Sequence, residues 1–192
     1  KTRLAVETCG RLRRRGAVFV DLADARSRSD LAEAVLAAAG RLSGAEGPEA
    51  AVGDWLGRQD VVLVLDNGEQ LAADAAQAVV RWRAEAPDTR VLVTSRRPLD
   101  VPDEQVLPVP PLELAPAVDL FLSRIPAGLA ADVAPHRARI EDLTAQLEGL
   151  PLAIELGAAR LEVLGLEQLL SHLGERFRML RAPGRTDRHG TL

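Results

Sequence analysis

Three uninterrupted apolar runs, each followed at once by a polar residue, constrain the fold of this chain more than any other feature. VVLVL precedes Asp66, VLV precedes Thr94, and AVFV precedes Asp21. Short apolar runs without alternation are typical of strands that are buried on both faces, as in parallel sheets. The runs therefore predict parallel strands whose carboxyl ends carry polar side chains.

Helical patterns separate these runs. TRLAVETCGRL places Leu4, Ala5 and Cys9 on one face of a helix, and we expect Asp30, together with Ser29, to cap the next helix. Alternation of strands and helices implies right-handed crossovers, with ligands at the carboxyl ends of the strands. QVLPVPPL adds one more short extended piece. The first part of the chain is thus predicted to be an α/β domain.

The pattern changes near Pro116, after which helix follows helix. The predicted helices cover Ala117–Ile125, Arg137–Glu148, Pro151–Leu164 and Leu166–Leu173. We therefore divide the chain into an α/β domain (1–112), a helical subdomain (113–180) and a polar linker (181–192).

Charge and composition exclude several classes of protein. The net charge is −4, so the chain as a whole lacks the excess of positive charge that is typical of nucleic-acid-binding proteins. Cys9 is the only cysteine, and His136, His172 and His189 show no ligand spacing, so neither disulfides nor a zinc site are expected. Without a signal peptide or a long apolar run, we expect a cytoplasmic protein that does not contact membranes.

Three polar sites lie where a parallel sheet binds ligands. Asp66 could hold Mg²⁺ beside nucleotide phosphates or merely begin a turn. Arg96, in TSRR, could pair with a phosphate or lie in an ordinary surface loop. Lys1, the only lysine among 24 Lys and Arg residues, precedes Thr2 and a helix. This pair fits the end of the phosphate-binding motif G-x-x-x-x-G-K-[ST], although codon usage also explains it.

In combination and in this order, these segments resemble the NB-ARC-type nucleotide-binding domain of bacterial STAND ATPases found in SARP and LuxR-type transcriptional regulators. KTRLAVE is similar to the end of Walker A, VLVLDNGEQL to Walker B and VLVTSRRPL to sensor 1. LEGLPLAIELGAARL resembles the Gly-x-Pro motif of the helical subdomain, and RHGTL the approach to a winged helix.

The resemblance implies a P-loop NTPase-like parallel sheet that lacks its first strand, followed by an all-helical lid subdomain. The missing strand would lie between VLV and QVL, in the middle of the sheet. Because such a strand carries much of a domain's stability, we expect this stretch alone to fold poorly and to bind ATP weakly. Residues 181–192 would lead toward a winged-helix domain.

The resemblance also assigns roles to single residues. Lys1 would contact the β/γ-phosphates, Thr2 and Asp66 would hold Mg²⁺, Asp66 and Glu69 would serve catalysis, Arg96 would contact the γ-phosphate, and Pro151 would pack near the adenine. The chain departs from the family at Gly68 and Gln70, where cysteine and histidine are usual.

The implied function is an ATP/ADP-dependent, Mg²⁺-requiring switch in a transcriptional regulator, with ADP holding a resting form and slow hydrolysis resetting the switch. Its partners would be the winged helix, sensor repeats and DNA-binding domain of the same protein, and further copies in a nucleotide-dependent homo-oligomer. This segment would not itself contact nucleic acid. Two alternatives stay open: a nucleotide-independent interaction scaffold, and a metabolic P-loop kinase or motor ATPase.

Overall fold

The computed structural model describes residues 1–12, 16–129 and 134–181. The first part alternates helices and strands: α1 (Thr2–Arg11), β1 (Gly16–Asp21), α2 (Arg28–Ala38), α3 (Pro48–Leu56), β2 (Val61–Asp66), a 3₁₀ turn (Gly68–Leu71), α4 (Ala72–Glu85) and β3 (Arg90–Val93). The cap of α2 was predicted wrongly, because Ser27 is its N-cap and accepts a hydrogen bond from the Asp30 N–H.

The three strands form one parallel sheet in the order β1-β2-β3. Asp21 lies opposite Asp66 in the first pair, and Leu65 lies opposite Val93 in the second. The mixed α/β class and the parallel sheet predicted from the apolar runs are therefore confirmed.

The side chains of β2 alternate between two apolar layers. Leu63 and Leu65 are fully buried in the larger cluster, to which α2, α3 and α4 contribute. Val62 and Val64 instead contact Ala5 of α1 in a smaller cluster. The sheet is thus covered on both faces, which explains why its strands are continuous apolar runs.

The outer edge of β3 is free of any other strand within the described residues. The predicted extended piece QVLPVPPL forms no strand, and Val106 and Leu107 are 61% and 79% exposed. A strand requires a hydrogen-bonded neighbour, and no described strand pairs with this segment.

A second set of elements is helical: α5 (Leu114–Arg124), two short 3₁₀ turns (Ala127–Leu129 and Ala134–His136), α6 (Arg137–Gln146) and α7 (Pro151–Arg181). Phe121, Ile140 and Ile154 are fully buried and join these three helices in one core. Gly165 interrupts α7 with φ 69° and ψ 166°, at the residue where the sequence predicts one helix to end and another to begin.

The chain divides into two compact units, Lys1–Pro108 and Val109–Leu192. The predicted linker beyond Arg181 lies outside the described residues. Among the described helices, none combines the length and the apolarity that crossing a membrane requires.

Candidate functional site

The carboxyl ends of the three strands place Asp21, Asp66 and Thr94 side by side. Asp21 and Asp66 are register partners, and Thr94 directly follows the Leu65–Val93 pair. Because side chains alternate along a strand, Asp66 lies on the same face as Val62 and Val64, the face that α1 covers. The start of α1 therefore meets the polar end of the sheet.

Asp66 is the centre of this group. Its side chain is buried, with 1% of the residue exposed. One carboxylate oxygen accepts a 2.8 Å hydrogen bond from the Thr2 hydroxyl, and the other accepts one from the Thr94 hydroxyl. The structure thus brings together Thr2 and Asp66, and it adds a threonine to which the sequence pattern had assigned no role.

Lys1 lies at the same end of the sheet. Its ammonium group donates a hydrogen bond to the carbonyl oxygen of Ser95, two residues after β3 ends. Helix α1 starts at the next residue, and the first N–H groups of a helix have no acceptor within it. A cation and a helix N-terminus therefore lie at the same end of the sheet as Asp66, and both features favour anions.

Arg96 and Glu69 form an ion pair at this edge, with Arg96 Nε 3.1 Å from Glu69 Oε1. The Arg96 side chain is 84% exposed, whereas that of Glu69 is 28% exposed. Glu69 belongs to the 3₁₀ turn that follows β2. The guanidinium group is accordingly available to a second anion at little cost in desolvation.

Gly68 holds this turn against β3. Its N–H donates to the carbonyl oxygen of Thr94 at 3.0 Å, and a β-carbon at Gly68 would lie 2.9 Å from Val93 Cγ1. A larger residue at this position would require Val93 or the turn to shift, so Gly68 has a local structural role.

Asp21 and Asn67 belong to the site, although the sequence pattern did not assign them to it. Asn67 adopts a left-handed conformation (φ 62°, ψ 35°), and its side-chain amide donates to Asp21 Oδ1 at 2.8 Å. This bond, and a second from the Ala23 N–H at 3.0 Å, lower the pKa of Asp21 below its usual value. The only signal in the sequence was that Asp21, like Asp66, directly follows an apolar run.

The donor set suits a hard cation. Within the described residues no three His, Cys, Asp or Glu side chains gather as a metal site. Thr2 and Asp66 nevertheless present a hydroxyl and a carboxylate in direct contact, and Mg²⁺ prefers such oxygen ligands, completing its shell with water and phosphate. The residues present therefore fit Mg²⁺ held jointly with a ligand, and not a cage built from protein alone.

Pro151 begins α7 in the second unit and is exposed. A proline at the first position of a helix costs no hydrogen bond, because its missing N–H would have no acceptor there. The preceding Gly149 adopts φ 65°, as expected for a glycine after the end of a helix. The GLP segment is thus explained locally as the joint between α6 and α7.

Comparison with known proteins gives relatives but no defined family. Over 188 residues, 94% of the chain, it is 32% identical to proteins of Mycobacterium tuberculosis and Mycobacterium bovis that are named "Putative HTH-type transcriptional regulator". An uncharacterized protein of Mycobacterium tuberculosis is 33% identical over 126 residues, which are 62% of this chain and 31% of that protein.

The chain spans only 21% of the length of the regulators it resembles. No family model matches it, and no solved structure does either. The comparisons thus indicate similarity to one segment of longer proteins that are named as HTH-type transcriptional regulators.

Proposed function

We propose that this chain is the ATP/ADP-binding switch module of a transcriptional regulator, with the site at the carboxyl ends of β1, β2 and β3. The observation that carries the proposal is the contact between the Thr2 hydroxyl and the buried Asp66 carboxylate, beside the ammonium group of Lys1. A hydroxyl and an acid that share Mg²⁺, next to a lysine at a helix start, are what a P-loop site requires.

Each residue has a defined task in this site. Thr2 and Asp66 hold Mg²⁺, which neutralises phosphate charge when it is bound. Lys1 exchanges the Ser95 carbonyl oxygen for the β/γ-phosphates. Thr94 keeps the Asp66 carboxylate oriented, and Glu69 orients the attacking water of a slow hydrolysis. Pro151 is assigned to the adenine by resemblance alone.

The Glu69–Arg96 ion pair supplies a way to distinguish ATP from ADP. A ligand shifts an equilibrium between two states only if it binds them with different affinity. Arg96 pairs with Glu69 in this structure, and a γ-phosphate offers it a competing anion that ADP lacks. Binding of ATP would then free the Glu69 carboxylate, whereas ADP would leave the pair intact.

The unpaired edge of β3 supports the P-loop type of sheet. Among the described strands β3 pairs only with β2, so its other edge could receive the further strand that the resemblance implies.

Nucleotide titration of the full-length protein tests the proposal. We expect fluorescent ATP to bind in the presence of Mg²⁺, and Asp66→Ala to weaken binding by about tenfold or more, since bonds to charged groups contribute about 1.5–3 kcal/mol. Arg96→Ala should weaken binding of ATP but not of ADP. Arg97→Ala, which removes the neighbouring exposed arginine, is the matched control and should change neither affinity.

A second candidate is a nucleotide-independent interaction module. It is favoured by one observation: Lys1 and Arg96 are both already bonded within the protein, to Ser95 and Glu69 respectively. Wild-type protein that binds neither ATP nor ADP at millimolar concentration would establish this candidate and exclude the switch. Rapid turnover of ATP without a partner would instead favour a metabolic kinase or a motor.

A further inference from the structure

Asp21 ends β1, and a series of hydrogen bonds through Asn67 and Thr94 links it to Asp66, which also accepts a bond from Thr2. Asp21 Oδ1 accepts from the Asn67 side chain at 2.8 Å. The Asn67 N–H lies 3.3 Å from the Thr94 hydroxyl oxygen, and that hydroxyl donates to Asp66. One series of hydrogen bonds thus crosses all three strands.

We propose that Asp21 is a positioning residue of the nucleotide site, acting through Asn67 on the turn that carries Glu69. This inference rests on the proposed function. Asp21 touches neither Thr2 nor Lys1 in any described contact, so it acts only through its neighbours. Its geometry differs from that of an aspartate which merely ends a strand, because its carboxylate holds a side chain 46 positions away.

The reason why Asn67 needs a partner is conformational. Its φ of 62° is in the left-handed region, which is unfavourable for residues other than glycine, although asparagine tolerates it better than most. The bond to Asp21 fixes the Asn67 side chain on the side of β1. Release of that bond would let the Asn67 backbone relax. The hydrogen bond from the Gly68 N–H to the Thr94 carbonyl oxygen would then weaken.

Two consequences for the site follow. The Thr94 hydroxyl would lose the neighbouring Asn67 N–H, so that the Asp66 carboxylate would be held less firmly where Mg²⁺ is expected. Glu69, two residues after Asn67, would no longer be fixed opposite Arg96. Loss of the Asp21 carboxylate should therefore raise the Mg²⁺ concentration that nucleotide binding requires, which a general loss of stability would not do.

The test compares Asp21→Ala, Asp21→Asn and Asp24→Ala in the full-length protein. Fluorescent ATP is titrated at several Mg²⁺ concentrations, and amide hydrogen exchange is measured at Gly68 without nucleotide. Asp21→Ala should accelerate exchange at Gly68 and raise the half-saturating Mg²⁺ concentration by about five- to tenfold, as expected for one lost hydrogen bond. Asp21→Asn keeps an acceptor oxygen. It should therefore return both the exchange rate at Gly68 and the half-saturating Mg²⁺ concentration most of the way to their wild-type values. Asp24, exposed in the same segment, should be replaceable without effect.

The outcomes separate this inference from the proposed function. Wild-type protein that binds no nucleotide would overturn the proposed function, and this inference with it. Wild-type binding together with an unchanged Mg²⁺ dependence in Asp21→Ala would overturn the positioning role alone, even if exchange at Gly68 increases.

Discussion

Thr2 and Asp66 are 64 positions apart, yet the hydroxyl of the first donates a 2.8 Å hydrogen bond to the carboxylate of the second. Two features of the sequence produce this contact. Ala5, one turn into α1, packs against Val62 and Val64, so the helix lies on one face of β2. Asp66 is an even number of residues from those valines, and its side chain consequently points to the same face.

We expect Thr2→Val to destabilise the first unit by about 1–3 kcal/mol, because it leaves one oxygen of a buried carboxylate without a donor. Urea unfolding followed by tryptophan fluorescence reports on this unit, since Trp55 and Trp82 are both in its core. Thr2→Ser keeps the hydroxyl and should recover most of the loss.

Thr8→Val is the matched control on the same helix. The Thr8 hydroxyl is exposed and donates only to the Leu4 carbonyl oxygen one turn earlier. Its replacement should change stability by no more than about 0.5 kcal/mol, as is usual for surface positions. Equal effects of Thr2→Val and Thr8→Val would show that the bond to Asp66 contributes nothing.

The strands and the break at Gly165 were predictable from the sequence because each depends on local patterns. Apolar runs identify buried strands, and a glycine between two apolar helical patterns marks a joint. The carboxyl ends of parallel strands share one edge, so the placement of Asp66 and the TSRR segment at the same end of the sheet also followed from topology. Whether they bind nucleotide is a separate question, which the proposed titration answers.

The roles of Asp21, Asn67 and Thr94 could not be predicted in the same way. They depend on strand register and on the left-handed conformation of Asn67, and neither is encoded in a local pattern. The ion pair between Glu69 and Arg96 likewise requires that the 3₁₀ turn be held against β3. Such contacts become visible only when the three strand ends are placed together.

Glu49 joins three helices through its side chain and its backbone. Its carboxylate binds Arg28 of α2 at 2.8 Å and Arg81 of α4 at 3.2 Å, and its carbonyl oxygen accepts from the buried Trp82 indole at 3.2 Å. The Glu49 side chain is only 19% exposed. It therefore interacts more strongly than an isolated surface pair does.

We expect Glu49→Gln to cost about 1–2 kcal/mol, because one carboxylate that serves two arginines is lost from a partly buried position. The loss should decrease at high salt. Asp54→Asn removes a pair with Arg58 whose side chains are 64% and 70% exposed, and it should cost less than about 0.5 kcal/mol. Urea unfolding at low and high salt measures the loss of stability in each variant. Similar losses for Glu49→Gln and Asp54→Asn would show that Glu49 contributes no more than an exposed ion pair does.

Asp30 makes the stability of α2 depend on pH. Its carboxylate accepts a 2.8 Å hydrogen bond from the Arg26 N–H, and this bond, followed by that with Ser27, lowers the pKa of Asp30. A group with a lowered folded-state pKa stabilises the fold above its unfolded pKa of about 3.9, and the stabilisation is lost as the pH falls toward the folded-state value.

Asp30→Asn should therefore reduce the dependence of stability on pH in acid, with the largest difference from wild type above about pH 4 and a difference that shrinks as the pH falls toward the folded-state pKa of Asp30. Denaturation midpoints across this range provide the measurement. Asp24→Asn removes the same charge from a residue with no described bond to Arg26, and it should leave the pH dependence of stability close to that of wild type. If the stability of wild type and that of Asp30→Asn changed with pH in the same way, Asp30 would not be a source of this pH dependence.

Gly149 and Gly165 both have positive φ, at 65° and 69°, but their surroundings differ. A β-carbon at Gly149 would collide with the carbonyl oxygen of Leu112, whose N–H donates to the Gly149 carbonyl oxygen at 2.8 Å. A β-carbon at Gly165 would meet nothing within 4 Å. Gly165 thus tests a positive φ without a collision, and Gly149 tests a positive φ with one.

Gly165→Ala should destabilise the helical unit by about 1–3 kcal/mol through backbone strain alone, because φ 69° with ψ 166° is a region that is populated almost only by glycine. Gly149→Ala also meets a positive φ and must in addition displace the Leu112 backbone, so we expect the larger loss there. Because neither tryptophan lies in this unit, the measurement is far-ultraviolet circular dichroism during urea unfolding, with amide exchange at Leu112 as the local readout. Faster exchange at Leu112 in Gly149→Ala only is the expected result, and equal losses in the two variants would mean that the close approach of Leu112 does not constrain residue 149.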